Sequence, residues 1–246
     1  MTNALRITSW GQSDVGLKRP NNEDSFHIND QHGYYALADG MGGEAAGEVA
    51  SGLFVAAAEE LIDKKPDRND QEAIQLIETV FTVSNARILD HVRHHPHCEG
   101  MGCTAELLII HNSGFSLGHV GDSRTYRLRN GTLQQLTKDH SLVQQQLDEG
   151  LISLEESEGH PLQNVIIRAV GIEADIAVDI VRGNLARGDL LLLCSDGLSD
   201  MIYDSAILEI LQTELSPQQK ADRLIEKAKS SGGNDNITVV VIDTAS

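Results

Sequence analysis

The dipeptide Asn130-Gly131, set between residues 124–129 and 132–136, commits the middle of this chain to antiparallel β-structure. A two-residue hairpin turn needs positive φ at its central positions, which Asn and Gly tolerate best, so the pair reads as a tight strand reversal. The β pattern extends on both sides. Residues 104–110 and 115–120 are apolar runs parted by His111-Asn112-Ser113-Gly114, which suits a second hairpin. Residues 5–13, 24–29, 34–38, 165–170, 178–181, 190–194 and 237–242 read as further short strands.

Three long helices accompany them. Over residues 44–61, Ala46, Ala50, Leu53, Ala57 and Leu61 recur at helical spacing. A second helix opens on an Asn69/Glu72 pair resembling a capping box, carries Ile74, Ile77, Phe81, Ile88 and Val92, and stops at Pro96. A third starts at Ser216-Pro217-Gln218-Gln219 and ends at Gly232-Gly233. Short strands in hairpin order, with long helices early and late, predict an α+β fold layered around antiparallel sheets. Residues 141–158 are helical in pattern, but Gly150 splits them and Gln and Glu dominate, as in a small insertion lying over a surface.

The 246 residues suit one domain over 1–246. No apolar run approaches the roughly 20 residues of a membrane span, and the opening MTNALRITSWGQ lacks the basic-then-apolar pattern of a leader. The expectation is a soluble, cytoplasmic protein with no membrane partner. A net charge of −18 repels polyanions and argues against nucleic acid as a partner. Cys98, Cys103 and Cys194 are an odd number and make no disulfide framework; Cys194, closing a leucine run, reads as a small buried hydrophobe.

Carboxylates recur at strand ends beside small or polar residues: Glu23-Asp24, Asp39-Gly40, Asp196-Gly197, Asp235-Asn236 and, between two strands, Gly121-Asp122-Ser123-Arg124. Taken singly, each fits a helix cap or a turn. Jointly they favour a site for hard cations, Mg²⁺ or Mn²⁺ over Zn²⁺, because the donors are all oxygen. Two such ions, roughly 3.5–4 Å apart, would activate a water for in-line attack at phosphorus. The cluster His94-His95-Pro96-His97-Cys98 reads instead as a solvated helix end, since proline disrupts helical ligand geometry.

Arg19-Pro20-Asn21-Asn22-Glu23-Asp24, Ala38-Asp39-Gly40-Met41-Gly42-Gly43, Gly121-Asp122-Ser123-Arg124, Ser195-Asp196-Gly197-Leu198 and Gly233-Asn234-Asp235-Asn236 occur in that order. Together they resemble the signature of the metal-dependent serine/threonine protein phosphatases, the PPM or type 2C family, in its compact bacterial form. The resemblance implies a four-layer α-β-β-α sandwich of two antiparallel sheets flanked by helices, with a dimetal cleft at one end. By position, Asp39 resembles the carboxylate bridging two Mn²⁺ or Mg²⁺ ions, and Gly40 the residue whose carbonyl joins it. Asp196 and Asp235 resemble ligands of one metal each. Glu23 and Asp24 resemble acids that reach the site directly or through water, and Asp122 the ligand of a third, weaker ion shared with Asp196. Arg19 resembles the arginine that grips the substrate phosphate, as its planar fork suits. A flap insertion over 143–165, with His160 able to reach toward substrate, completes the likeness. Asn236 is read as shaping its turn.

What this implies is hydrolysis of phosphoserine and phosphothreonine in proteins by a metal-activated water, in a monomer opposing a cytoplasmic Ser/Thr kinase. The alternatives are a phosphatase dedicated to one regulatory phosphoprotein, such as an anti-sigma antagonist, or a non-catalytic phosphoprotein-binding module. Three positions depart from the pattern. Met41 stands where animal relatives carry a histidine, and a thioether donates no proton; the general acid then falls to metal-bound water, a flap group such as His160, or another residue. Glu44 replaces a histidine common in bacterial relatives, and Cys103 replaces a threonine, which reads as a packing change.

Overall fold

A computed structural model describes residues 6–42, 46–63, 68–157 and 159–244. Its elements in chain order are β1 (Thr8–Asp14), β2 (Asp24–Asn29), β3 (Tyr34–Met41), α1 (Gly47–Ile62), α2 (Asp70–His94), a 3₁₀ turn (Pro96–Cys98), β4 (Gly102–Cys103), β5 (Ala105–His111), β6 (Gly114–Val120), β7 (Arg124–Arg129), β8 (Thr132–Gln135), α3 (Leu142–Asp148), α4 (Leu154–Ser157), β9 (Asp179–Gly183), β10 (Leu190–Cys194), α5 (Asp196–Ser199), α6 (Asp204–Leu211), α7 (Pro217–Ser230) and β11 (Ile237–Asp243). One sheet runs β1-β11-β10-β7-β8 and the other β2-β3-β5-β6-β9, with β4 paired to β3; every pairing is antiparallel.

Both faces of each sheet are covered, which explains the uninterrupted apolar run of β10. In β10, Leu191 and Leu193 enter the seam between the sheets with Val240 and Ile242 of β11 and Tyr35 and Leu37 of β3. Leu190, Leu192 and Cys194 face outward onto Ile207, Leu211, Leu224 and Ile225 of α6 and α7. Tyr34, Ala36 and Ala38 face the opposite way, onto Phe54 of α1 and Ile77 and Phe81 of α2. The order is therefore helices, sheet, sheet, helices. Each fully buried Leu, Ile, Val or Phe contributes about 1.5–3 kcal/mol, and the edge-to-face Phe54–Phe81 pair, with centroids 5.0 Å apart, joins α1 to α2.

Helix starts follow their capping chemistry. Asn69 Oδ1 accepts the Glu72 N–H at 3.0 Å while Glu72 Oε2 accepts the Asn69 N–H at 2.9 Å, and Ser216 and Gln219 make the same reciprocal pair. The first helix begins at Gly47; Glu44, from which it was expected to run, lies with Gly43 outside the described residues. Residues 165–170 are not the expected strand. Ile166 bridges Ser141 and Val170 bridges Cys103, so the pairing is split between two distant segments and no ladder forms, while Val165 and Ile167 stay exposed. The short α6 was not foreseen; it holds itself down through Ile207 and Leu211, one turn apart. Among the described residues no helix is long and apolar enough to cross a membrane.

Candidate metal centre and phosphate cleft

The strand registers bring the acidic turns to one end of the sandwich. Asp14 at the end of β1 pairs with Ile237 at the start of β11, Cys194 at the end of β10 pairs with both Val239 and Arg124, and Ala105 pairs with Val120. At the same end Asp24, first in β2, lies directly opposite Asp39 in β3. A cleft of about 590 Å³ opens there, lined by Arg19, Glu23, Asp39, Gly40, Asp196 and Asp235 together with Met41, Asn164, Ile166 and Asn236. Asp24 and Asp122 are not among the residues that line it. His160 is not part of it: its Nδ1 accepts the Leu162 N–H at 3.2 Å, within the flap's own turn.

Backbone fit explains the glycines. A Cβ at Gly40 would overlap the Gly47 and Glu23 carbonyls, and one at Gly47 would lie 2.7 Å from Glu23 Oε2. The end of β3, the start of α1 and Glu23 thus meet with no room for a side chain. Gly40 also donates its N–H to the Glu23 carbonyl at 3.2 Å.

Asp24 is aimed by a relay of hydroxyls. Its Oδ2 accepts from Ser195 Oγ at 2.9 Å and Thr238 Oγ1 at 2.6 Å; Thr238 Oγ1 lies 2.6 Å from Ser13 Oγ, which accepts from Asn22 Nδ2 at 2.7 Å. Asn236 anchors the opposite wall. Its Oδ1 accepts the Glu23 N–H at 2.8 Å, and its Nδ2 donates to the carbonyls of Val15 at 3.0 Å and Asn21 at 2.8 Å. That side chain holds the Arg19 loop against the 233–236 turn, a role the sequence suggested only as turn-shaping.

The electrostatics are those of carboxylates crowded without enough positive charge. Burial, and then the charges of Asp24, Asp196 and Asp122, push Asp39 well above the ordinary carboxylate range. Burial and Asp122 do the same to Asp196. Burial raises Asp24 to about 6, and burial with Asp139 and Asp200 raises Asp122 to about 7. Glu23 is raised by burial and by Glu48. Asp200, which sequence reading missed, is raised by burial too, with Asp139 and Asp235 adding to it; its one legible signal was its spacing, four residues after Asp196 on a helical turn.

Among the described residues no three His, Cys, Asp or Glu side chains are grouped tightly enough to hold an ion as they stand, and Asp235 is turned to Arg19, with Nη2 2.6 Å from Oδ2. Yet Asp24 Oδ1, Asp122 Oδ1 and Asp196 Oδ1 are all buried without a hydrogen-bond partner. Buried oxygens of this kind are costly unless something positive meets them. An all-oxygen donor set with orphaned carboxylate atoms fits hard divalent cations.

The protein phosphatase 2C family model matches residues 17–229. The chain is 43% identical over 232 residues to the serine/threonine protein phosphatase PstP of Mycobacterium tuberculosis, covering 94% of this chain and 44% of PstP, so it spans less than half of that relative. It is 38% identical over 237 residues to the serine/threonine phosphatase stp of Listeria monocytogenes, covering 94% of each. A crystal structure of M. tuberculosis PstP matches with a TM-score of 0.91 at 42% identity, over 98% of this chain and 99% of that one. The PstP catalytic domain in complex with two manganese ions matches with a TM-score of 0.86 at 42% identity, over 96% and 97%.

Proposed function

The chain belongs to the protein phosphatase 2C family, and we propose that it is a metal-dependent protein-serine/threonine phosphatase, one catalytic domain with a flap. The observation that carries the reading is the set of raised carboxylates Asp24, Asp39, Asp122 and Asp196, with orphaned oxygens on Asp24, Asp122 and Asp196, of which Asp39 and Asp196 line the cleft beside Arg19.

We assign Asp39, the Gly40 carbonyl, Asp196 and Asp235 to two Mn²⁺ or Mg²⁺ ions, Glu23 and Asp24 to their surroundings, and Asp122, with Asp200 beside it, to a third, weaker ion. When bound, the pair of ions supplies a Lewis-acidic centre that lowers the pKa of water and offsets the charge of the phosphate. The protein's own groups do the rest. Arg19, released from Asp235, presents two N–H groups to two phosphate oxygens. The Asn236 bonds keep the Arg19 loop from drifting, and Pro20, Asn21, Asn164 and Ile166 wall the cleft. Met41 faces the cleft without a transferable proton. His160 is the flap group we assign to the leaving oxygen. Its Nδ1 accepts the Leu162 N–H, which leaves Nε2 as the ring nitrogen open to the substrate.

The substrates are phosphoproteins, and the partner is a Ser/Thr kinase whose products the protein reverses, as a cytoplasmic monomer. Three cysteines that are free and buried suit a reducing compartment. The test is phosphate release from p-nitrophenyl phosphate and from a phosphothreonine peptide. Turnover with Mn²⁺ that disappears with EDTA is the expected result; no turnover with metal present contradicts it.

A further inference from the structure

Residues 137–141 lie outside the cleft lining, yet they touch both the Asp122 turn and the root of the flap. His140 makes the connection with three groups. Its N–H donates to the Gly121 carbonyl at 2.7 Å, its ring Nδ1 accepts the Gly121 N–H at 3.0 Å, and its carbonyl accepts the Ile167 N–H at 2.9 Å. The next residues extend the junction: Ser141 bridges Ile166, and the Leu142 N–H donates to the Val165 carbonyl at 2.8 Å. Ile166 is a cleft-lining residue. One residue therefore holds both backbone groups of Gly121, the neighbour of Asp122, and the segment that carries Ile166 into the cleft.

The ring's protonation state follows from these bonds. To accept from Gly121, Nδ1 must be bare, which leaves the proton of a neutral imidazole on Nε2, 3.3 Å from Asp179 Oδ2. Burial, with His119 and Arg168 nearby, pushes His140 down to about 4, so the ring is neutral. His119 lies against it, the rings tilted 33° to each other with centroids 4.6 Å apart, and is the opposite case. Burial works against its charge, but Glu106 and the Lys138 carbonyl outweigh burial and hold it above the ordinary histidine value. His119 Nδ1 meets the fully buried Glu106, its Nε2 donates to the Lys138 carbonyl at 2.9 Å, and Glu106 Oε2 accepts from Thr125 Oγ1 at 2.6 Å. Strands β5, β6 and β7, from both sheets, thus fix the surface on which the His140 ring rests.

We propose that His140 is a positioning residue of the cleft: by clamping Gly121 while bonding Ile167, it fixes the cleft-lining part of the flap relative to the Asp122 turn and so sets how a protein substrate is seated. The substrate half of this statement rests on the phosphatase reading; the mechanical coupling does not.

Two isosteres separate positioning from mere packing. In His140→Asn the amide oxygen stands as many bonds from Cα as Nδ1 does, so the acceptor for Gly121 is kept; in His140→Gln it stands one bond further out, near the place of Nε2. The ratio of kcat/KM for a phosphothreonine peptide to that for p-nitrophenyl phosphate is expected to stay within about twofold of wild type in the Asn variant. In the Gln variant it falls at least about tenfold, through KM for the peptide. Amide hydrogen exchange on metal-free protein gives an arm independent of catalysis. The Gln variant speeds exchange at Gly121, Leu142 and Ile167 together, and the Asn variant does not. Equal ratios in the two variants, or faster exchange at only one of the two segments, overturns the proposal. If wild type turns over no substrate, the phosphatase reading fails while the exchange arm still decides the coupling. Should neither variant fold, wild-type exchange decides: one shared opening rate for the three amides supports the clamp, and separate rates overturn it.

Discussion

Arg19 Nη2 lies 2.6 Å from Asp235 Oδ2, joining residues 216 positions apart in sequence. The group assigned to the substrate phosphate therefore holds a group assigned to metal. The two side chains are 50% and 26% exposed, and pairs of this kind contribute only about 0–1 kcal/mol. Asp235 can exchange Arg19 for an ion at little cost, and the exchange frees the guanidinium for phosphate. Arg19→Ala is expected to tighten Mn²⁺ binding a few-fold by calorimetry, because it removes a cation from an acidic cleft, while raising KM for a phosphothreonine peptide at least about tenfold. Arg19→Lys should recover little of the KM loss, since an ammonium lacks the planar fork. Unchanged metal affinity in the Ala variant would contradict the exchange.

The crowded carboxylates also make stability depend on pH. Asp24 titrates at about 6 and Asp122 at about 7 in the folded protein, above the roughly 4 expected unfolded. Between those values the folded state binds more protons than the unfolded state, so this contribution to stability is present below about 4 and is lost as pH rises through about 7. Thermal scans in EDTA should show Tm falling by at least about 4 °C across that window. Added Mn²⁺ should raise Tm most at its upper end, where the carboxylates are ionised. A Tm that climbs from pH 4 to 7 in EDTA would contradict the electrostatic account.

Much of this was legible in the chain. Apolar runs such as Leu190-Leu191-Leu192-Leu193 announced strands, which the fold buries on both faces, and the Asn69/Glu72 and Ser216/Gln219 capping boxes fall where their chemistry put them. Residues 165–170 misled because β-branched residues promise a ladder only if one partner strand is available, and here His140 and Cys103 divide the bonding. Asp200 and Asn236 were undervalued for a different reason. Their importance lies in what burial and distant loops do to them, and local spacing carries almost none of that. The orientation of Asp24 likewise depends on Ser195 and Thr238, more than 170 residues away.

Asn236 should matter for both folding and substrate. Four hydrogen bonds run through its side chain and N–H, three of them to the loop that carries Arg19 or to Glu23. Asn236→Ala leaves the Glu23 N–H and two carbonyls unpaired, for a loss of roughly 2–4 kcal/mol in urea unfolding. The same variant is expected to raise KM for phosphopeptide, as Arg19 loses its anchor. A change under about 0.5 kcal/mol would show that the loop is held by something else.

His160 is tested by the leaving group. A p-nitrophenolate departs without a proton, whereas the threonine alkoxide needs one. His160→Gln should therefore lower kcat on a phosphothreonine peptide at least about fivefold more than on p-nitrophenyl phosphate. An equal effect on both would remove His160 from the proton transfer.

Asp39, opposite Asp24 and lining the cleft, is the central ligand of the proposed metal centre. The most direct measurement is Mn²⁺-dependent phosphate release from a phosphothreonine peptide by wild type and by Asp39→Asn at saturating metal. Wild type is expected to turn over and to stop in EDTA. The Asn variant should fall by at least about a thousandfold while unfolding at a higher temperature than wild type in EDTA, because one of the repelling charges is gone. Full activity in Asp39→Asn would contradict the assignment.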